Sequence, residues 1–355
     1  MAFLKIENVV IRGMSACAPP KVEENKGLPF YEPGEAEQVM SATGIERRHV
    51  CPPDIAVSDL CYKAAEKLIE ELGWEKESIG LLALATQNPD YLNHPTSFVV
   101  HDRLGLPEDT MCLDFFHGCP AWVFSLSSVA SMMSNGQIKR ALLLDGDTAS
   151  KGQFALDRES RPLFGDAAIV TALEFYEGSP NLCFTFGTKS ADGMALAQTQ
   201  GGYRNPFTMD SLKHRLDLLS GAIPVDASAD HMDSMDVFSF AITKVPKAIK
   251  KLCSEYGIDI EDIDKLVLHQ ANKLIIEAIA KRLKTPMDKV PMSLKNYGNT
   301  TSASIPLTIV SECAEEYRTQ RQKTLACGFG TGLSWGVVYF ETEGLVIPDV
   351  VIYNE

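Results

Sequence analysis

The chain predicts an α/β fold built from two similar halves, and two observations carry that expectation. Short apolar runs alternate with longer stretches of helical spacing along most of the 355 residues, the pattern of strands layered against helices. The order strand, reactive residue, helix also occurs twice, at Cys119 and at His269. No residue-level repeat accompanies it, so the duplication rests on element order, with one half over residues 1–175 and the other over 176–355.

In the first half, residues 79–86 (IGLLALAT) form an unbroken apolar run too short for a helix and read as a buried strand. Residues 97–104 have helical spacing, 111–116 read as a strand, and 120–135 as a helix. The runs 140–144 and 167–175 complete this half as strands. In the second half, 238–256 is a long helix and 265–268 a short strand ending at His269. Helices follow at 273–283 and 302–317, and a closing pair of strands at 324–328 and 334–340. The prolines and charges of 18–34 read as a loop.

Composition removes several function classes. Hydrophobic residues make up 45% and charged residues 23%, ordinary for a globular protein. No apolar run reaches the roughly 18 residues of a membrane span, and the opening MAFLKIE lacks the basic-then-apolar pattern of a signal peptide. A cytoplasmic location is the resulting expectation. With 33 basic and 47 acidic residues the net charge is −14, which argues against nucleic acid as a partner. An acidic partner would need a local basic patch. The nine cysteines are odd in number and lack C-x-x-C spacing, so neither a disulfide framework nor a structural zinc site is expected.

Three segments carry the chemistry: Phe116–Pro120 (FHGCP), Leu268–Asn272 (LHQAN) and Tyr297–Ser304 (YGNTTSAS). They offer a thiol, an imidazole and a carboxamide. Cys119 follows a strand, and Pro120 suits the first helical position, where its missing N–H costs nothing. The sulfur then sits at a helix N-terminus, which favours a thiolate; the bland alternative is a buried small hydrophobe. His269 alone reads equally as a satisfied structural histidine, and Asn299 alone as a turn residue. Together, neutral imidazole and carboxamide can each donate a hydrogen bond, and two donors aimed at one thioester carbonyl would stabilise an enolate. The glycine-rich Cys327–Gly332 run leads into a strand, not a helix, so it reads as a tight turn lending an N–H rather than a dinucleotide loop. Phe164-Gly165-Asp166 reads as structural.

These runs, in this order, resemble the β-ketoacyl-acyl-carrier-protein synthase III family of the thiolase-like condensing enzymes. The resemblance also takes in Thr43-Gly44-Ile45-Glu46-Arg47-Arg48-His49 and Gly328–Gly336, and spans the chain to about Thr342. It implies a five-layered αβαβα fold and a homodimer. Cys119 would accept an acyl group from a primer thioester, and His269 and Asn299 would bind the carbonyl of a malonyl carrier protein. The amides of Cys119 and Thr331 would form the oxyanion hole. No cofactor is implied beyond acyl-CoA or acyl-carrier thioesters. Asn272 would touch pantetheine and Arg158 the adenine ring. Lys281, Arg282 and Lys273 would dock the acyl carrier protein, and Tyr91, Leu92, His94 and Trp122 would line or close the acyl pocket.

The chain departs from the family at Gln38, where a tryptophan is usual, at Ala42 and Leu274, where arginines are usual, and at Pro120 and Trp122, where small residues are usual. A tail, Leu345–Tyr353, reads as an added edge strand. The leading expectation is decarboxylative condensation in a divergent family member. Transfer of the Cys119-bound acyl group to an oxygen or nitrogen nucleophile, and a silent binding subunit, are the alternatives.

Overall fold

The computed structural model of the chain describes residues 2–152, 157–211, 213 and 230–354. The first half runs β1 (Ala2–Ile6), β2 (Val9–Ala18), β3 (Val22–Glu24), α1 (Glu35–Thr43), β4 (Arg47–His49), α2 (Val57–Leu72), β5 (Ile79–Ala85), α3 (Thr96–Leu104), β6 (Met111–Phe115), α4 (Ala121–Met133), β7 (Arg140–Asp147) and β8 (Ala167–Phe175). The second runs β9 (Leu182–Thr188), β10 (Leu196–Gln198), β11 (Asp230–Met232), α5 (Ser234–Tyr256), β12 (Lys265–Leu268), α6 (Lys273–Leu283), α7 (Leu294–Tyr297), α8 (Ser304–Glu312), α9 (Ala314–Thr319), β13 (Gln322–Gly330), β14 (Ser334–Thr342) and β15 (Val351–Ile352).

Two mixed sheets result, ordered β15-β2-β8-β7-β5-β6 and β1-β9-β14-β13-β12. In each, four strands repeat one pairing pattern. β5 pairs parallel with β7, β7 antiparallel with β8, and β8 antiparallel with β2; β12, β13, β14 and β9 do the same. The element order read from the sequence therefore appears as topology. The halves also exchange edges: β1 lies on β9 of the second sheet, while β15 of the tail lies parallel to the end of β2 in the first.

Strand alternation sends side chains to opposite faces, and this builds the layers. On β7, Leu142 and Leu144 face the outer helix α2 through Leu60 and Leu68. Ala141 and Leu143 face inward, where Leu126 and Val129 of α4 and Ile305 and Leu307 of α8 fill the space between the sheets. On the far side, Val245 and Ile249 of α5 and Ile275 and Ile279 of α6 cover Leu266, Leu268 and Leu325. The result is the αβαβα stack. Helix α4 is buried nearly all round, from Ala121 to Met133, as a helix between two sheets must be. Among the described residues, no helix is long and apolar enough to cross a membrane.

Three local expectations are corrected. The helix expected over 302–317 begins only at Ser304 and is split at Cys313. Residues 302–303 belong instead to a short 3₁₀ turn, Thr301–Ala303, which Thr301 opens with a left-handed φ of 51°. The loop expected over 18–34 contains β3, which pairs with β4; the buried Arg48 of β4 donates to Asn25 Oδ1 at 2.9 Å and ties the two together. Strand β7 runs on to Asp147, past the apolar run.

Candidate active site

The end of β13 is wedged between the cysteine and the histidine. Gly330 has φ 156°, and a Cβ there would lie 3.0 Å from Cys119 Sγ, so only glycine lets this strand pass the thiol. On its other side, His269 donates its backbone N–H to Cys327 O at 2.9 Å, and its ring meets Phe329 edge-on at 5.4 Å.

Cys119 precedes α4, with Pro120 at the N-cap rather than inside the helix. The thiol is buried, and burial pushes its pKa up to about 12, with the nearby Asp147 adding to the rise. The backbone N–H groups of Cys119 and Thr331 oppose this. The resting thiolate expected from the helix N-terminus is thus corrected: desolvation outweighs the end-of-helix field. The same two N–H groups are those expected to form the oxyanion hole.

His269 is 2% exposed. Burial lowers its pKa to about 3, against the opposing influence of the Thr301 carbonyl, so the ring is neutral. Its Nδ1 lies 2.7 Å from Ser304 Oγ, which also accepts the Gln270 N–H at 3.4 Å. In the tautomer in which the Ser304 hydroxyl donates to Nδ1, Nε2 carries the ring proton. Gln270 holds this corner, donating to Leu268 O and accepting from Ser293 N–H.

Asn299 follows Gly298, whose φ of 65° and ψ of −153° only glycine adopts readily. A Cβ on Gly298 would lie 2.6 Å from Leu163 O. The Asn299 Oδ1 accepts the Thr301 N–H at 2.9 Å, which leaves its NH₂ to donate elsewhere. The Thr301 hydroxyl in turn donates to Asp147 Oδ2, as does Ser302 at 3.2 Å. Thr86 and the Gln87 N–H donate to Asp147 Oδ1. Gly165 of the structural Phe164–Asp166 run donates its N–H to Asn299 O at 3.1 Å.

Asp147, Thr301 and Ser304 are the residues that the sequence reading missed. Asp147→Ala strands three buried hydroxyls and the half-buried Gln87 N–H, each buried one worth about 1–3 kcal/mol if left unpaired. Urea denaturation is expected to show a loss of about 3 kcal/mol or more, together with reduced activity as Thr301, which anchors Asn299, loses its own tie to Asp147.

The remaining expected residues are spread more widely. Asn272 caps α6, its Oδ1 accepting the Ile275 N–H at 2.9 Å. Arg158 is ion-paired with Glu35 of α1. Lys281 and Arg282 are exposed at the C-terminal end of α6. Lys273 lies in its first turn and lines a cleft of about 530 Å³ with Met40, Gly44 and Lys295; none of the three reactive residues lines that cleft. Tyr91 and Leu92 are exposed, and the Tyr91 ring meets His94 edge-on at 6.2 Å. Trp122 is fully buried in the central layer, its indole N–H donating to Thr171 Oγ1 at 3.1 Å and its ring edge-on to Phe340. Those are the contacts of a core side chain rather than of a pocket wall.

Two duplicated halves closing over a buried cysteine, a neutral histidine and an anchored asparagine define a thiolase-like condensing enzyme. Two family models match the chain: 3-oxoacyl-[acyl-carrier-protein (ACP)] synthase III over residues 113–190, and the C terminal of the same synthase over 253–342. A β-ketoacyl-[acyl-carrier-protein] synthase III of Prochlorococcus marinus is 33% identical over 341 residues, covering 95% of this chain and 96% of its own. One of Clostridium perfringens is 30% identical, over 93% and 98%. The crystal structure of a 3-oxoacyl-(acyl-carrier protein) synthase from Burkholderia xenovorans superposes with a TM-score of 0.91 at 30% identity, over 99% of both chains. The chain belongs to the β-ketoacyl-[acyl-carrier-protein] synthase III family.

Proposed function

We propose that this enzyme transfers an acyl group from a primer thioester to Cys119 and then joins it to a malonyl carrier protein with loss of CO₂. One observation carries the reading. Oδ1 of Asn299 accepts the Thr301 N–H and Nδ1 of His269 meets the Ser304 hydroxyl, so with that hydroxyl donating to Nδ1 the Nε2–H and the NH₂ are the donors that remain.

In the first half-reaction the Cys119 sulfur attacks the primer carbonyl. The tetrahedral oxyanion is held by the N–H groups of Cys119 and Thr331. The primer's C–S bond breaks, and its thiol leaves with the proton Cys119 gave up. In the second, the malonyl carbonyl accepts hydrogen bonds from His269 and Asn299. The bond to the carboxylate breaks, CO₂ departs, and the electron pair becomes an enolate. Its carbon attacks the acyl-Cys119 carbonyl, a C–C bond forms, and Cys119 leaves as a thiolate that regains a proton from solvent. A neutral imidazole suits this role, because it donates to the enolate without protonating it. The chemistry draws on the thioesters alone.

The partner is an acidic acyl carrier protein. In a chain of net charge −14, exposed Lys247, Lys250 and Lys251 of α5 lie beside exposed Lys281, Arg282 and Lys284 at the end of α6. Lys250 Nζ reaches Arg282 O at 3.4 Å, which joins the two groups. Gln38 supplies no stacking ring and Arg158 is engaged by Glu35, which supports a carrier-borne primer over a CoA-borne one. Reversing charge at Lys281 and Arg282 together is expected to raise KM for carrier substrates about tenfold or more, with kcat held. Acylation from a small N-acetylcysteamine thioester is expected to stay unchanged in the same variant.

A homodimer is supported by β6, an edge strand flanked by exposed Phe98, Met111 and Phe116 and by the exposed Tyr91–Leu92 turn. An open edge with large apolar neighbours invites a second copy. The nine cysteines are all unpaired, which supports the cytoplasm as location. The reading is tested by counting CO₂ released per C–C bond formed from primer and malonyl carrier thioesters. One CO₂ per product is expected, whereas acyl transfer to an amine or alcohol releases none.

A further inference from the structure

His117 takes no part in the reaction just described, yet it stands two residues before the nucleophile. Its ring is half-buried and packs against Phe124 of α4 with centroids 4.3 Å apart. Phe124 packs in turn on Phe186 of β9 at 4.7 Å. The imidazole therefore ends a row of aromatic rings, and burial lowers its pKa.

Its Nε2 lies 3.3 Å from Ser334 Oγ, and that hydroxyl donates to Thr331 O at 2.7 Å. A hydroxyl has one proton. Because this one is committed to the Thr331 carbonyl, the contact with His117 is made by an Nε2–H donating to Ser334 Oγ. A directed chain results: His117 Nε2–H to Ser334 Oγ, and Ser334 Oγ–H to the Thr331 carbonyl. It spans the two segments that supply the oxyanion donors. These segments already touch, since a Cβ on Gly118 would lie 2.7 Å from Thr331 Cβ. The turn between Thr331 and Ser334 is tight as well, since a Cβ on Gly332 would fall 2.9 Å from Ser334 Oγ.

We propose that His117 is a positioning residue that clamps the Thr331–Ser334 turn to the nucleophile segment through Ser334, and so fixes the distance between the two oxyanion N–H groups. The clamp rests on the proposed acyl-enzyme chemistry for its effect on rate, but not for its existence. Two N–H groups serve one oxyanion only if both point at it, and they belong to residues 212 positions apart in the chain. Packing sets their separation coarsely, and a directed hydrogen-bond chain sets it to a fraction of an ångström, the scale on which such donors lose their effect.

The test is a double-mutant cycle on the acylation half-reaction, read by quenched-flow mass spectrometry with an N-acetylcysteamine thioester, beside amide hydrogen exchange of the 328–336 peptide. His117→Ala is expected to slow the acylation rate constant about tenfold with half-saturating thioester unchanged. His117→Gln, whose Nε2 can reach the same hydroxyl, is expected to restore most of the rate, and His117→Asn, a bond shorter, is not. Ser334→Ala should slow acylation similarly, and the double variant should equal Ser334→Ala alone. Faster exchange of the 328–336 peptide in both single variants is expected whether or not a thioester reacts. Unchanged exchange in His117→Ala, or additive effects in the double variant, would overturn the clamp. Absent acylation in the unmodified enzyme with altered exchange in the variants would leave the clamp standing and overturn the proposed function instead.

Discussion

Cys119→Ala removes the acyl-enzyme altogether, and condensation falls by on the order of 10⁵-fold or more, as when a nucleophile acting as a unit with its neighbours is deleted. The loss should separate the half-reactions. His269 and Asn299 keep their anchors on Ser304 and Thr301 in this variant, so decarboxylation of the malonyl thioester should persist without a product containing the new C–C bond. The fold should also survive. Alanine is smaller than cysteine, and the missing sulfur leaves only a small void beside Gly330. Acyl adduct, CO₂ and thermal midpoint measured on one preparation distinguish this from unfolding.

Asn299→Ala acts on the other half. Cys119 still takes the primer, but one of the two enolate donors is gone, and decarboxylation is expected to slow about 100- to 1,000-fold, ~2.7–4 kcal/mol of transition-state stabilisation. The pH dependence follows from the partner donor. Burial holds the His269 pKa at about 3, so above pH 5 the ring stays neutral and the decarboxylation rate should carry no imidazole titration between pH 5 and 8. The same depression has a consequence for stability. Unfolded, the ring binds a proton below about 6.5; folded, it resists down to about 3. Its contribution is therefore complete above pH 6.5 and is lost as pH falls towards 3. A decarboxylation limb with a midpoint near 6.5 would show that His269 is solvated and acts as a base.

What the sequence made legible was local. The thiol, imidazole and carboxamide could be found because each ends or follows a recognisable run: Met111–Phe115 before Cys119, Lys265–Leu268 before His269, and Gly298 before Asn299. Alternation and run length gave six of the seven strands read between residues 79 and 340 to within a residue or two, but left β1, β2 and β9 unread. The supporting contacts were less legible because they are long-range. Asp147 lies 154 positions from the Thr301 hydroxyl it accepts, and it fell outside the strand read at 140–144 because Asp145 ends the apolar run of β7. Ser304 read as one of several hydroxyls in YGNTTSAS, and nothing local marks it as the partner of His269.

Electrostatics were misread for the same reason. A helix N-terminus is visible in sequence and favours a thiolate. The complete burial of Cys119, and the carboxylate of Asp147 beside it, appear only once both sheets have closed over α4. The exchange of β1 and β15 between the sheets was also beyond pattern reading, although the tail itself was recognisable as an edge strand. Pairing partners are not encoded in either strand's own alternation.

The central claim is tested most directly by intact-protein mass spectrometry after incubation with a panel of acyl-carrier and acyl-CoA thioesters, followed by addition of malonyl carrier protein, with Cys119→Ala in parallel. The predicted result is an acyl adduct on the unmodified enzyme that is absent in Cys119→Ala and is discharged on adding malonyl carrier protein, with one CO₂ released per adduct lost. An adduct that persists in Cys119→Ala, or one discharged without CO₂, would contradict it.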